Sequence, residues 1–514
     1  MNKKFYFEIT FLFILGAITS LSLPPFNLFI INFLTFTFYF LFLIKKSNKH
    51  KNKKLFFLYG WIFGFSYFIA SLYWISISLS FDQSFKLLIP LSVFLIPAFL
   101  GIFYGLISSI FIILKPRKII SSFLTFCLIF GIMEFARGSI LTGFPWNLIA
   151  YSFSNQLEIL SINSVIGIYG FNLFCISLFT APAILILSKS KKNVLIFSFF
   201  LIMSISFYIY GLFYEKKFYE AENNTYDFKV RVIGSNISLE KFYSEVDPAK
   251  VIQDLIKISN PVNDEKIIFV WPEGIIPDVY QDELIVYKKL FNENFNENHI
   301  LILGINSKLT NNNHNDYFNT LSIYDSEINL INSYNKINLV PFGEFLPFEN
   351  ILKKLGLRPI TNNYQSFSRG LKREIIELKF NKSSLKILPL ICYEIIYSGK
   401  LFDNSNFDLI INISEDGWFG QSIGPKQHFI HSIFRAIESG KYVVRSSNNG
   451  IAAVVNPLGN IEQKVDFGIS GYIDFKESRK IQPTIFSKYG NKVFGSIILL
   501  YILLIFSFNK IKNE

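Results

Sequence analysis

The hydrophobic positions of this chain fall into long unbroken runs towards its two ends and short runs in between. Apolar segments near 6–22, 26–44, 55–78, 87–114, 119–136, 159–187 and 194–213, with an eighth at 492–508, each reach or approach the length at which a helix crosses a bilayer. From about Phe228 the texture changes. Short β-rich runs, VRVIG at 230–234, KIIFVW at 266–271, ILILGI at 300–305, KILPLI at 386–391 and DLIINIS at 408–414, alternate with polar, helix-like stretches. Runs this apolar suit strands covered on both faces. Asp247-Pro248 marks a helix start, with Asp as N-cap and Pro at the first helical position, ahead of the helically spaced AKVIQDLIKIS. The pattern predicts three parts: a membrane domain of about seven transmembrane helices over 1–213, an α/β layered domain over 228–478, and a C-terminal transmembrane helix over 492–508.

Charge then orients the helices. Lys3 and Lys4, the run from Lys45 to Lys54, Lys115 with Arg117 and Lys118, the run from Lys189 to Lys192, and Lys510 with Lys512 fall at the start, in alternate loops and at the end. The opposite loops hold little beyond Lys86 and Arg137. By the positive-inside rule the first set is cytoplasmic, so seven spans place the α/β domain outside, in the periplasm of a Gram-negative cell, and the eighth returns the chain. The expected location is the bacterial inner (cytoplasmic) membrane. No small-residue cleavage site follows the first segment, so it is expected to be retained. Composition agrees: 51% of residues are hydrophobic and 17% charged, against roughly 25% charged in soluble domains. The net charge of +12 sits largely in these topogenic lysines, which argues against a nucleic-acid partner. The three cysteines, Cys127, Cys175 and Cys392, are too few and scattered for a disulfide framework or a zinc site.

Polar residues that end buried strands are where α/β domains keep chemistry. Glu273 follows KIIFVW in a Trp-Pro-Glu-Gly turn, Lys336 ends a strand before LVPFGE, and Cys392 directly follows KILPLI. A thiol, a carboxylate and an ammonium suit acyl transfer: the thiolate attacks, the carboxylate moves the proton, and the ammonium stabilises the oxyanion. Taken singly, each also fits a bland role: a small core cysteine, a turn carboxylate, a solvated lysine. His428 and His431 share a helix face, but no carboxylate or Cys accompanies them at ligand spacing, so no metal is expected. Trp418 and Phe419 either line an acyl pocket or plug the core. Arg137, with Glu134 at the end of an apolar run, either forms an ion pair or meets a lipid phosphate. The mixed apolar and basic stretches at 345–348 and 351–359 suit either a lid that dips among headgroups or an ordinary packed loop.

These strings resemble the nitrilase superfamily in the order and strand context of Glu, Lys and Cys. More narrowly, the chain resembles its membrane-embedded branch, the apolipoprotein N-acyltransferases, over nearly its full length. WPEG at 271–274, NKINLVPFGEFLP at 335–347, ICYE at 391–394, EDGWFG at 415–420 and the long stretch 424–450 carry the likeness, as do LPPFN at 23–27, GWIFGFSYF at 60–68, LYWI at 72–75 and EFARGSILTGFPWN at 134–147. The resemblance implies an αββα sandwich carrying a Glu273-Lys336-Cys392 triad and a ping-pong reaction. A phospholipid acylates Cys392, and the α-amino group of a diacylglyceryl apolipoprotein then takes the acyl chain. It implies Glu344 and Glu394 as supporting acids, the Tyr393 N–H as a second oxyanion donor, Trp418 and Phe419 in substrate binding, no cofactor, and a monomer in the lipid bilayer. A membrane-anchored amidase or esterase that passes the acyl group to water is the alternative. The chain departs from the family pattern at Glu415 and Gly417, where Asn and Ala are usual, and at Ser447, where Thr is common.

Overall fold

The computed structural model describes residues 3–242, 246–311, 314–361, 365–380, 383–402 and 405–510. Its long helices are α1 (Lys3–Thr19), α2 (Ile31–Ser47), α3 (Lys53–Leu72), α4 (Ile89–Leu114), α5 (Ile119–Arg137), α6 (Asn163–Thr180) and α7 (Lys191–Glu220), then α8 (Pro248–Ser259) and α9 (Gly424–Ser439) in the α/β part, and finally α10 (Lys492–Lys510). Among the described residues seven helices are long and apolar enough to cross a membrane, corresponding to every predicted segment except 26–44. That segment forms α2 only from Ile31, because Leu23 to Asn27 make turns with Phe26 and Asn27 N–H donating to the Leu23 carbonyl, and prolines 24 and 25 have no N–H to give. The 17 residues of α2 extend about 26 Å at 1.5 Å per residue, slightly less than the hydrocarbon core. Helices α4, α7 and α10 turn large apolar side chains outward, including Leu95, Phe99, Ile202, Phe213, Leu503 and Phe506. Such faces are stable against lipid rather than water. Helices α3 and α4 approach closely at Gly60 and Gly64, where a Cβ would come within 2.2 Å of the Tyr104 carbonyl oxygen and 2.6 Å of the Tyr104 side chain.

The α/β part is built on one sheet of 12 strands: β1 (Asn223–Ser235), β2 (Ile267–Val270), β3 (His299–Asn311), β4 (His314–Asp325), β5 (Leu330–Asn335), β6 (Ile376–Phe380), β7 (Ser383–Ile391), β8 (Leu409–Glu415), β9 (Tyr442–Asn448), β10 (Ala452–Val455), β11 (Ile461–Val465) and β12 (Gly471–Arg479). All five predicted runs are strands. The main path runs β5-β4-β3-β2-β1-β9-β8-β7-β6, and its two halves face each other. Val230, Ile268, Ile302 and Ile323 from one half share a buried cluster with Leu378, Ile387, Ile411 and Val444 from the other. On the outer face of the first half, Phe269 and Leu301 pack against Val251 and Leu255 of α8, a helix capped as expected by Asp247, whose Oδ1 accepts from the Ala249 N–H at 2.9 Å. On the outer face of the second half, Leu388, Leu390, Ile410 and Val443 join Phe429, Ile433 and Ile437 of α9 in a core continuous with the membrane helices. The result is the expected four-layer α-β-β-α sandwich, with α9 also serving as the joint to the membrane helices.

Strands β3, β2, β1, β9, β8 and β7 run parallel in succession. Strand β5 runs the same way, since β3–β4 and β4–β5 are both antiparallel. The residues that leave β2, β5, β7 and β8 at their C-terminal ends therefore meet along one edge of the sandwich, where open parallel sheets hold their ligands.

Candidate active site

Glu273, Lys336 and Cys392 leave three of those strand ends, and all three are buried. The Lys336 Nζ lies 2.9 Å from Glu273 Oε1 and 2.9 Å from Glu344 Oε1. Asn319 of β4 sits across the same pair, its Nδ2 donating to Glu273 Oε1 and Glu344 Oε1 at 2.7 Å each, while its carbonyl accepts the Lys336 N–H at 2.9 Å. The second Glu273 oxygen accepts the Glu415 N–H at the end of β8 at 3.0 Å, and the second Glu344 oxygen accepts the Val340 N–H at 2.8 Å. Two carboxylates thus share one ammonium and one amide. Gly304 of β3 makes room, since a Cβ there would stand 2.4 Å from the Glu273 Cα.

Burial by itself would pull the Lys336 ammonium down, but the Glu273 and Glu344 carboxylates outweigh it and hold its pKa well above the ordinary lysine value. Burial pushes Glu344 up; Lys336 opposes this and Glu273 adds to it. The Cys392 thiol is pushed well above the ordinary cysteine value by burial first and by the Glu273 charge second, with Lys336 opposing. Burial and the Glu273 carboxylate thus disfavour the Cys392 thiolate. The reaction of Cys392 with iodoacetamide, followed by intact mass, is expected to accelerate by about tenfold per pH unit through pH 7 to 9, tracking the small thiolate fraction. A plateau already reached at pH 7 would mean a thiolate at rest.

Cys392 occupies the left-handed region with φ of 48°, a conformation that costs a non-glycine residue about 1–3 kcal/mol. It opens the one-turn helix Cys392–Ile396 directly off β7, and this sharp strand-to-helix turn sets the side chain apart from the strand. Glu394 secures the turn. Its Oε2 accepts the Ile391 N–H at 2.9 Å, and its Oε1 accepts from the Tyr334 hydroxyl at 2.8 Å, the Ile337 and Asn338 N–H groups at 3.0 and 3.1 Å, and the Arg373 guanidinium at 2.5 Å. One buried carboxylate therefore fixes the nucleophile turn to the chain that follows Lys336.

A second polar cluster braces the site from the β8 end. Asp416 accepts from the Ser414 hydroxyl at 2.7 Å and from Arg445 Nη2 at 2.9 and 2.8 Å, and its Oδ1 lies 2.8 Å from His428 Nδ1. Burial opposes the Asp416 charge, but Arg445 and His428 hold its pKa well below the usual carboxylate range, while burial pushes the His428 imidazole down. His431 pairs with the Tyr151 hydroxyl at 2.8 Å. Both histidines are engaged in packing and hydrogen bonding, and among the described residues no three His, Cys, Asp or Glu side chains are grouped to hold a metal ion. The departures at 415 and 417 are a matched pair. The Glu415 carboxylate accepts the Gly417 N–H at 3.0 Å, and a Cβ on residue 417 would stand 2.8 Å from Glu415 Oε1. The longer acid at 415 takes the space that alanine would need.

The membrane helices reach the site through loops. The Tyr393 hydroxyl donates to the Gly143 carbonyl at 3.1 Å and the Tyr397 hydroxyl to the Thr142 carbonyl at 2.8 Å. Gln427 of α9 accepts from the Trp74 and Trp146 indoles at 3.1 and 3.0 Å and donates to the Pro24 carbonyl at 3.2 Å, which brings three of the quoted membrane motifs onto one side chain. Phe419 packs edge-on against Trp74, Trp146 and His428. Trp418 stacks on Phe242 and meets Phe81 edge-on. Both are half-buried, at the seam between the sandwich and the membrane helices. Arg137 lies elsewhere: it is buried, pairs with Glu134, donates to the Phe144 carbonyl and packs over Phe68. Of the two sequence readings for Arg137, the geometry is that of the ion pair.

Asn319, Arg373, Asp416 and Arg445 were not anticipated as part of the site. Arg373 had no marker at all. The other three lie in polar-looking strands and turns, and the only available signal was a charged or amide residue inside a segment otherwise bound for burial, as with Arg445 in YVVRSSN.

Comparison with known proteins agrees with this architecture. The apolipoprotein N-acyltransferase N-terminal domain matches residues 15–181 and the carbon-nitrogen hydrolase domain matches residues 229–474. An apolipoprotein N-acyltransferase from Rickettsia prowazekii is 33% identical over 510 residues, covering 98% of both chains. That of Rickettsia typhi is 34% identical, covering 96% of both, and that of Rhizobium leguminosarum bv. trifolii is 32% identical, covering 89% of this chain and 88% of the relative. With the sandwich, the membrane helices and the full-length likeness together, this bacterial membrane protein belongs to the apolipoprotein N-acyltransferase family.

Proposed function

We propose that the protein carries a fatty acyl chain from a membrane phospholipid, by way of a Cys392 thioester, to the N-terminal α-amino group of a diacylglyceryl apolipoprotein. The observation that carries the reading is the buried Lys336 ammonium held between two carboxylates, with its charge and that of Glu273 both acting on the Cys392 thiol. Glu273 takes the thiol proton as sulfur attacks the ester carbonyl, and Lys336 with the Tyr393 N–H stabilises the oxyanion. Collapse returns the proton to the departing alcohol, a lysophospholipid. The incoming amine then attacks the thioester, loses a proton to Glu273, and leaves as an amide while Cys392 recovers its proton. Glu344 keeps Lys336 charged and in place. Trp418 and Phe419 line an acyl slot at the seam.

Both substrates carry long acyl chains, and exposing these to water costs about 0.8 kcal/mol per CH₂. A site seated on membrane helices avoids that cost. The segment after Glu344 suits a lid over it: Phe348 and Ile351 are exposed, beside a Lys353–Glu349 pair at 2.8 Å. Lysines at the C-terminal ends of α2 and α10, Lys45, Lys46 and Lys510, favour a cytoplasmic side there. With α2 counted as a span, the sandwich then faces the periplasm from the inner membrane. One chain supplies every group in the scheme.

Intact mass of the detergent-purified protein tests the scheme. Incubation with phospholipid should add one acyl mass, and a diacylated lipopeptide with a free N-terminus should remove it while gaining that mass as an amide. Decay to free fatty acid without transfer would instead support the hydrolytic alternative.

A further inference from the structure

A cavity of about 230 Å³ lies where α9 meets the chain leading into α10, lined by Arg435, Glu438, Ser439, Ser487, Lys488 and Lys492 together with apolar side chains such as Phe402 and Phe486. It is separate in composition from the acyl-transfer site, sharing none of its reacting residues. Arg435 is buried within it. Its Nη1 donates to the Ile396 and Tyr397 carbonyls at 3.1 and 2.8 Å, and its Nε lies 2.9 Å from Glu438 Oε2. Its Nη2 is left without a hydrogen-bond partner. A buried guanidinium donor with no acceptor is costly to leave so, and it calls for one.

The Glu438 carboxylate is already occupied, with its Oε1 accepting the Ile168 N–H and the Ser398 hydroxyl at 2.8 Å each. Against this single negative charge stand three cations, Arg435, Lys488 and Lys492. The two lysines are exposed and have no ion-pair partner among the described residues. Lys492 is the first residue of α10, so the positive end of a 19-residue helix also lies at this cavity. The excess charge, the hydroxyls of Ser439 and Ser487, and the unpaired guanidinium fit an oxyanion.

Position decides which oxyanion. Helix α10 is apolar along its length and exposes Leu499, Leu500, Leu503 and Phe506, so a cavity at its first turn lies at headgroup depth with acyl-binding surface directly below it. We propose that this cavity holds the phosphodiester headgroup of an anionic phospholipid, whose tails lie along α10, as a bound lipid separate from the acyl donor. Through Arg435 the headgroup is linked to Ile396 and Tyr397, the end of the turn that begins at Cys392.

The test uses the full chain carrying Cys392→Ala, which cannot consume lipid, so its outcome is independent of the acyl-transfer reading. Native mass spectrometry after incubation with phosphatidylglycerol should show one retained lipid per chain. Retention should be roughly 30-fold weaker in the additional variant Lys488→Glu/Lys492→Glu, since each basic residue near a membrane surface contributes about a fivefold factor. Unchanged thermal unfolding of that variant confirms that its fold is intact. Equal retention of zwitterionic phosphatidylethanolamine, unaltered retention in the double variant, or displacement of the lipid by inorganic phosphate would each overturn the proposal, the last by making the cavity a free-phosphate site.

Discussion

Cys392→Ala protein gains no acyl mass from phospholipid and passes none to a lipopeptide amine, a loss of at least about 10⁵-fold if the thioester is the only route. The substitution removes one sulfur from a turn held by Glu394, Tyr393 and Tyr397, so the folded protein and its lipid binding should persist. Cys392→Ser sharpens the point. The hydroxyl fits the same turn but is intrinsically a far weaker acid and nucleophile than a thiol. Residual transfer should therefore stay below about a thousandth of wild type, each factor of ten corresponding to about 1.4 kcal/mol of barrier. Appreciable transfer by the alanine variant, measured as amide-linked acyl chain on the peptide, would remove Cys392 from the mechanism.

The second large effect is expected at Lys336. Lys336→Met keeps the length of the side chain and takes away the charge that Glu273 and Glu344 share at 2.9 Å. Two buried carboxylates would then face each other across Asn319 with no counter-charge, and breaking a buried pair in this way costs about 3–5 kcal/mol. One acid must take up a proton, and Glu344, already pushed up by burial, is the one to do so. The sign of the pH response follows from this. A carboxyl whose folded pKa is raised binds its proton more tightly than in the unfolded chain, so the variant gains stability as pH falls through that raised pKa and loses it as pH rises. Thermal unfolding between pH 5 and 8 should show this slope in Lys336→Met and lose it in Lys336→Met/Glu344→Gln. Acyl transfer should be at least about 10³-fold down in both, because an oxyanion donor is absent in both. Recovery of activity along with stability in the double variant would reduce Lys336 to a structural charge.

The elements that sequence made legible are those whose signal is local. Unbroken apolar length marks a span, and the five strand runs buried on both faces read as strands because nothing polar interrupts them. The candidate site residues stand out for a related reason: Glu273, Lys336 and Cys392 each follow the abrupt end of such a run. The span 26–44 was misjudged at its start because the Pro24-Pro25 turn is as apolar as the helix it precedes. The strands β4 and β9 were missed because their polar residues are satisfied by partners distant in sequence: Asn319 by Glu273 and Glu344, Arg445 by Asp416 and Asn412. Satisfaction at long range leaves no local periodicity. The Glu394 hub shows the same limit, since five donors from four separate stretches converge on one acid that in sequence is merely the third residue of a turn.

The tyrosine hydroxyls that hang from the 142–143 carbonyls have a mechanical consequence. Residues 142 and 143 follow α5 after the short turn 138–141, so the height of the Cys392 thiol is tied to where that helix ends. A phospholipid's ester carbonyl also lies at a depth fixed by its leaflet. In the proposed scheme nucleophile and electrophile are thus registered against each other through bilayer thickness, and hydrophobic mismatch that tilts or lifts α5 would shift the attack distance itself. In that scheme the membrane would act as a gauge as well as a solvent: acyl-chain length, by setting thickness, would tune the reaction rate before it is ever read by a binding pocket.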